Sequence, residues 1–75
     1  MALGTRTLRR GMTGKDVDQL IMLLVKTKLL SAIDIPQTSL FSEQVEQAIK
    51  RFQGTKGLPA DGVVDYRTLL LLKLL

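Results

Sequence analysis

The chain has 75 residues, so it forms one small domain that depends on a tight apolar core. It contains neither cysteine nor histidine, which excludes disulfide bridges, Cys–His zinc clusters and catalysis by a histidine base. The net charge of +4 permits anionic partners without selecting one.

The first predicted helix begins at residues 13–16, which fit a capping box. In that motif the hydroxyl of Thr13 accepts the backbone N–H of Asp16, and the Asp16 carboxylate reaches back. Apolar residues then recur at helical spacing: Val17, Leu20, Ile21 and Leu24. The helix is predicted to end near residues 26–28, where lysines suit the negative end of the helix dipole.

A loop is predicted over residues 31–40, which include Pro36 among small polar residues. A second helix follows Phe41, with Ser42 as its N-cap, and it ends near residues 54–57, where two glycines stand. Its inner face is predicted to comprise Val45, Ala48, Ile49 and Phe52.

The third helix follows a turn at residues 57–62, in which proline, aspartate and glycine each favour tight chain reversal. Asp65 is the predicted N-cap, and the helix starts at about Tyr66. Its inner face is predicted to comprise Thr68, Leu71, Leu72 and Leu75.

A shift of 23 positions superposes the second helix on the third. Phe41 then aligns with Val64, and Ser42 aligns with Asp65, so each half is a turn, a buried hydrophobe, a cap and a helix. The sequence therefore predicts an all-α fold, a compact three-helix orthogonal bundle with an internal turn–helix duplication. Residues 1–7 are expected to be an irregular N-terminal segment, and residues 8–75 to form the domain.

The chain resembles the three-helix peptidoglycan-binding domains found beside bacterial cell-wall hydrolases. The matching segments are Leu8-Arg9-Arg10-Gly11, Gly14-Lys15-Asp16-Val17 with Leu20, Phe41 with Ala48-Ile49-Lys50-Arg51-Phe52-Gln53, and Gly57-Leu58-Pro59-Ala60-Asp61-Gly62 with Thr68. The resemblance implies a non-catalytic module that binds peptidoglycan and anchors a linked catalytic domain. It also implies a location in the cell envelope or outside the cell, if the domain comes from a secreted parent.

The sequence departs from the family pattern at several positions. Ser42 and Asp65 stand where the family usually has glycine, and Leu69 stands where tryptophan is frequent. Lys28 replaces a glycine that normally closes the first helix. This replacement is expected to cost about 1 kcal/mol if the φ angle of Lys28 is positive.

The candidate ligand-binding residues lie near the second helix and the final turn. They are Arg51, Gln53, Asp65, Tyr66 and Arg67. Arginines pair carboxylates of stem peptides bidentately, the Gln53 amide both donates and accepts, and tyrosine joins an apolar face to a hydroxyl. The alternative is that each is a solvated surface residue and that Gln53 bonds to the adjacent turn.

Leucine accounts for 15 residues, more than the core of a three-helix bundle holds. The residues predicted to lie off the inner faces are Met22, Leu23, Val25, Leu69, Leu70 and Leu74. A surface of this kind would support an alternative function, protein docking onto a linked domain or a second copy. Equally, Leu3, Leu8 or the loop at residues 31–40 would cover part of it.

Other functions are disfavoured. Asp61 and Asp65 have turn and cap roles, and a small bundle offers little concavity, so neither catalysis nor a cofactor is expected. The third helix carries leucines instead of polar side chains that read bases, which argues against nucleic acid as a partner. The longest apolar run, residues 20–25, is much shorter than a membrane span, and no signal peptide is visible in this chain.

Overall fold

The computed structural model describes residues 3–36 and 38–75. It contains three α-helices: α1 at Lys15–Lys26, α2 at Glu43–Thr55 and α3 at Tyr66–Lys73. A short 3-10 helix, Ala32–Asp34, lies in the loop between α1 and α2, and no strand occurs within these two ranges. The all-α prediction with three helices is therefore confirmed. Residues 1 and 2 of the predicted N-terminal segment and residue 37 of the predicted loop lie outside the described residues.

The core is one cluster of buried apolar side chains from all three helices and the segments between them. Its members are Leu8, Val17, Leu20, Ile21, Leu24, Leu30, Phe41, Val45, Ala48, Ile49, Phe52, Val64, Leu69 and Leu72. The inner faces predicted for α1 and α2 are confirmed, because every residue assigned to them is buried.

The inner face predicted for α3 is only partly right. Thr68 and Leu72 are buried, but Leu71 is half-buried and Leu75 is 58% exposed. The helix ends at Lys73, so Leu75 lies beyond its last turn and does not continue the helical stripe. Leu69 is in the core instead, where its side chain is 5% exposed.

Side-chain caps start α2 and α3 as predicted. The Ser42 Oγ accepts the N–H of Val45 at 3.4 Å, and the Asp65 Oδ1 accepts the N–H of Thr68 at 3.0 Å. Each cap satisfies a backbone donor that the first helical turn leaves without an internal partner.

The hydrophobe before each of these caps is bonded to the same N-terminal segment. The backbones of Val64 and Leu8 exchange two hydrogen bonds, of 2.8 and 3.0 Å. Phe41 donates to the Met12 carbonyl at 2.9 Å and accepts from the Gly11 N–H at 3.0 Å. Residues 8–12 thus hold the starts of α2 and α3 in similar ways, while the internal duplication stays a prediction.

The C-terminus of α1 has the backbone of a Schellman motif, with a lysine where glycine is usual. The Leu29 N–H bonds to the Leu24 carbonyl at 2.8 Å, and the Lys28 N–H bonds to the Val25 carbonyl at 3.0 Å. Lys28 has a φ of 65°, whereas the equivalent position after α2 is Gly57, with a φ of 71°. The φ angle of Lys28 is positive, which is the condition under which the replacement of glycine is expected to cost about 1 kcal/mol.

We expect Lys28→Gly to raise the free energy of unfolding by about 1 kcal/mol, because glycine adopts this left-handed conformation without a Cβ clash. Urea unfolding followed by far-ultraviolet circular dichroism measures the change. Lys28→Ala is the matched control, since it removes the charge and keeps the Cβ. Equal stabilities of the two variants would contradict the explanation.

Candidate functional site

The Gln53 amide, in the last turns of α2, is buried and bonded internally. Its Oε1 accepts the Gly62 N–H at 2.9 Å. Its Nε2 lies within donor distance of the Val63 carbonyl (2.9 Å), the Asp61 Oδ1 (3.1 Å) and the Thr68 Oγ1 (3.2 Å). Because both amide atoms bond within the domain, Gln53 ties the turn at residues 61–63 to α2 and α3. This is the turn-bonding alternative that the sequence left open.

Asp61 shapes the same turn. Its Oδ1 accepts the Val63 N–H at 2.9 Å as well as the Gln53 amide. The Val63 N–H is the main cause that lowers the pKa of Asp61, and Gln53 and the charge of Lys50 lower it further, against a smaller opposing effect of burial. The turn-forming role predicted for Asp61 is confirmed.

A pocket of about 160 Å³ opens beside this turn, between the end of α2 and the start of α3. We call it the turn pocket; it is lined by Gln53, Leu58, Pro59, Asp61, Asp65, Arg67 and Thr68. Three of the five predicted ligand-binding residues meet here, namely Gln53, Asp65 and Arg67. Asp65 and Arg67 are exposed, so they are the members that a ligand reaches.

The capping box predicted for α1 is wrong. The N-cap is Gly14, which has no side-chain cap, and the Asp16 carboxylate binds Arg6 instead. The Asp16 Oδ2 lies 2.7 Å from the Arg6 Nε, and its Oδ1 lies 3.1 Å from the Arg6 Nη2. The Arg6 guanidinium gives the carboxylate an opposite charge and two hydrogen bonds, whereas a capping box would give it one bond from a neutral backbone N–H, which explains why arginine takes the carboxylate.

Asp16 is 1% exposed, and its Oδ1 also accepts the Val17 N–H at 3.0 Å. The hydrogen bond from Arg6 is the main cause that lowers the pKa of Asp16. Gly14 makes room for the pair, because a Cβ there would lie 2.8 Å from the Asp16 Oδ1 and 3.0 Å from the Arg6 Nη2. Arg6 could not be identified from the sequence, because the burial of Asp16, which calls for a cation nearby, is seen only in the folded chain.

Residues 3–7 form a strap across the start of α1 and α3. The strap has neither helix nor strand, yet it is attached at both ends. The Leu3 N–H donates to the Gln19 Oε1 at 2.9 Å, and Arg6 binds Asp16 and the Thr13 carbonyl. A Cβ on Gly4 would lie 3.4 Å from the Leu69 Cδ2, so the strap passes directly over Leu69.

A second pocket, of about 180 Å³, lies between the strap and the start of α3. We call it the strap pocket; it is lined by Leu3, Gly4, Thr5, Arg6, Thr7, Leu8, Val64, Asp65, Tyr66 and Leu69. Tyr66 is 75% exposed at its edge. Asp65 lines this pocket and the turn pocket, so the two are neighbours.

Arg51 lies apart from the other four candidates. It lines a third pocket, of about 360 Å³, with Leu30, Asp34, Glu43, Gln44 and Gln47. The structure therefore brings together four of the five predicted residues around Asp65 and places Arg51 against the loop between α1 and α2.

The six predicted interface residues do not form one exposed set. Met22, Leu70 and Leu74 are exposed at 67%, 46% and 73%, whereas Leu23 and Val25 are half-buried against the core. The prediction that Leu69 lies off the inner face is wrong, because the strap covers it.

Two further properties concern only residues 3–36 and 38–75. Within these ranges no group of three or more acidic, histidine or cysteine side chains is placed to hold a metal ion. None of the helices described here has both the length and the apolar character needed to cross a membrane.

Acid is expected to destabilise the domain through Asp16 and Asp61. Both carboxyls have a pKa below the usual value of about 3.9, so their contribution is complete above that pH and is lost as the pH falls through the folded pKa. Urea unfolding at neutral pH and below pH ~4 measures the loss. Asp16→Asn and Asp61→Asn should each reduce the loss of unfolding free energy between neutral and acidic pH. If the double variant loses as much as the original protein, acid does not act through these two carboxyls.

Comparison with known proteins places the sequence in context. Residues 13–72 match the family model for a peptidoglycan binding domain. The crystal structure of the SleB N-terminal domain is similar, with a TM-score of 0.82 and 26% identity over 96% of this chain and 94% of that one. No curated protein matches the sequence.

Two longer proteins contain a similar fold. One is a peptidoglycan-binding protein from Clostridioides difficile, solved with glutamine hydroxamate, with a TM-score of 0.76, 28% identity and coverage of 92% of this chain and 41% of that one. The other is a periplasmic domain of the EpsAB fusion protein of the Vibrio vulnificus type II secretion system. Its TM-score is 0.72 at 34% identity, over 89% of this chain and 29% of that one.

Proposed function

The chain belongs to the peptidoglycan-binding domain family, and we propose that it is a non-catalytic module that holds a linked catalytic domain on the bacterial cell wall. The family match covers α1, α2 and all of α3 except its last residue, so it includes the parts of the chain that build the turn pocket. The proposal places the module in the cell envelope or outside the cell.

The turn pocket is the observation that carries this proposal. Its floor is rigid, because Gln53 is bonded to the turn and to Thr68, and its rim carries the exposed guanidinium of Arg67. Stem peptides of peptidoglycan present carboxylates and amides. A guanidinium pairs a carboxylate through two parallel hydrogen bonds, so Arg67 is suited to hold such a group at this pocket. The carboxylates of Asp61 and Asp65, which line the same pocket, are suited to accept the N–H groups of the stem-peptide amides.

Co-sedimentation with purified insoluble peptidoglycan tests the function. At low salt we expect the domain to sediment with the polymer, and Arg67→Ala to reduce the bound fraction several-fold. Arg9→Ala is the matched control, because Arg9 is an exposed arginine that lines none of the three pockets. Arg51→Ala tests the separate pocket beside the loop.

Two outcomes would count against the proposal. A domain that stays in the supernatant at low salt is not a cell-wall module. Equal losses with Arg67→Ala and Arg9→Ala would show that net charge, and not the turn pocket, holds the polymer.

A further inference from the structure

We propose that the strap pocket is a subsite for one neutral sugar ring of the glycan strand, with Tyr66 as its stacking platform. This inference rests on the proposed peptidoglycan-binding function and specifies which part of the polymer the pocket takes. The turn pocket, on the other side of Asp65, takes the charged peptide.

The aromatic wall is the first reason. Tyr66 is the first residue of α3 and remains 75% exposed although it lines a pocket. Its ring offers a flat apolar face for the C–H groups of a sugar, while its hydroxyl stays in contact with water. Leu8, Val64 and Leu69, which are buried, also line the pocket and add apolar side chains to it.

The polar lining matches sugar hydroxyls. Thr5 and Thr7, both exposed on the strap, contribute hydroxyls that donate and accept, and Asp65 contributes a carboxylate that accepts. A sugar ring presents hydroxyls that need both kinds of partner. A pyranose ring has an apolar C–H face with hydroxyls around it, so it matches a pocket that has an aromatic ring beside polar groups.

The charge of the pocket selects against anionic groups. Arg6 lines it, but its guanidinium is paired with Asp16 and also donates to the Thr13 carbonyl at 2.6 Å. Asp65 is then the remaining charge among the lining residues. Among the described residues that line it, the strap pocket has no unpaired guanidinium to balance Asp65, whereas Arg67 lines the turn pocket. A carboxylate of a stem peptide would therefore be repelled here, and a neutral N-acetylated sugar would not.

Size and rigidity agree with a single ring. The volume of about 180 Å³ is below the ~300–1,000 Å³ of pockets that enclose a whole drug-sized ligand, so the neighbouring sugars of a strand would extend outside. The strap is fixed before any ligand arrives, through the ion pair to a buried aspartate. A site that is already ordered loses less conformational entropy on binding.

Tyrosine fluorescence provides a direct test, because the chain has one tyrosine and no tryptophan. Chitotriose, the soluble trimer of N-acetylglucosamine, is the probe. We expect a saturable change in the emission of Tyr66 at millimolar concentrations of the trimer. The anionic stem fragment N-acetyl-L-alanyl-D-glutamate should leave the emission unchanged, because Asp65 repels its carboxylates from the pocket that Tyr66 lines.

Variants assign the effect to the ring. Calorimetry should show that Tyr66→Ala weakens chitotriose binding about tenfold or more, because the stacking contact that the ring provides contributes a binding free energy equivalent to about a tenfold change in Kd. Tyr66→Phe keeps the ring face and should remain within about threefold of the original affinity. Leu74→Ala is the control, because Leu74 is exposed just beyond the last turn of α3 and lines none of the pockets.

The outcomes separate this inference from the function on which it rests. If Tyr66→Ala sediments fully with peptidoglycan and chitotriose changes neither emission nor heat, the sugar subsite is refuted and the cell-wall module stands. If chitotriose binds through Tyr66 but insoluble peptidoglycan is not retained, the subsite is supported and the proposed anchoring function is refuted.

Discussion

Gln53→Glu should lower the free energy of unfolding by about 3 kcal/mol, the largest effect we expect from an isosteric change. The introduced carboxylate would lose both amide donors and would face the Val63 carbonyl and the Asp61 Oδ1, which now lie 2.9 and 3.1 Å from the Gln53 Nε2. Buried acceptors left without donors, next to a like charge, are costly. Urea unfolding at neutral pH measures the difference.

Gln47→Glu is the matched control for that experiment. Gln47 is exposed on the same helix, so the identical chemical change should alter stability by no more than about 0.5 kcal/mol. The deficit of Gln53→Glu should also shrink in mild acid, because a protonated carboxyl regains one donor. Similar losses at the two positions would show that Gln53 does not hold the turn.

Asp16→Ala should lower the free energy of unfolding by about 2 kcal/mol at neutral pH. The substitution removes the buried acceptor of the Val17 N–H and of two Arg6 donors, and it leaves a cavity at the start of α1. It should also release the strap. Amide hydrogen exchange at residues 3–7 is therefore expected to speed up more than exchange in α2.

Asp18→Ala is the control for Asp16→Ala. Asp18 is exposed in the same helical turn and bonds to the Ser39 hydroxyl at 2.7 Å, so its loss should cost about 0.5 kcal/mol. If Asp18→Ala and Asp16→Ala have equal effects, the Arg6–Asp16 pair does not secure the strap.

Local chemistry explains which parts of the fold could be predicted. The inner faces of α1 and α2 follow from helical periodicity, and the caps at Ser42 and Asp65 follow from side chains that bond within one turn. Such signals lie close together in the sequence. The strain at Lys28 follows from the sequence only as a condition, and it rests on the resemblance, in which a glycine stands at this position.

The errors arose where distant residues decide the outcome. Asp16 has the spacing of a capping box, but an arginine ten positions earlier binds it instead. Helical spacing alone predicts Leu69 on the surface, because it does not show that the strap lies over this residue.

In the candidate site, too, local features could be predicted and features that depend on distant residues could not. Asp65, Tyr66 and Arg67 are neighbours in sequence, so their grouping was predictable. Their separation into two pockets depends on Gln53 on one side and on the strap on the other.

The backbone pairing of Leu8 with Val64 has a consequence for how the domain folds. These residues close a loop that contains most of the chain, and Val64 lies just before the last helix. During synthesis, Leu8 cannot pair with Val64 until α1, α2 and the turn after α2 have been made. Because such distant contacts slow folding, the Leu8–Val64 pairing should form late, and a nascent chain that ends after α2 should remain open to proteolysis.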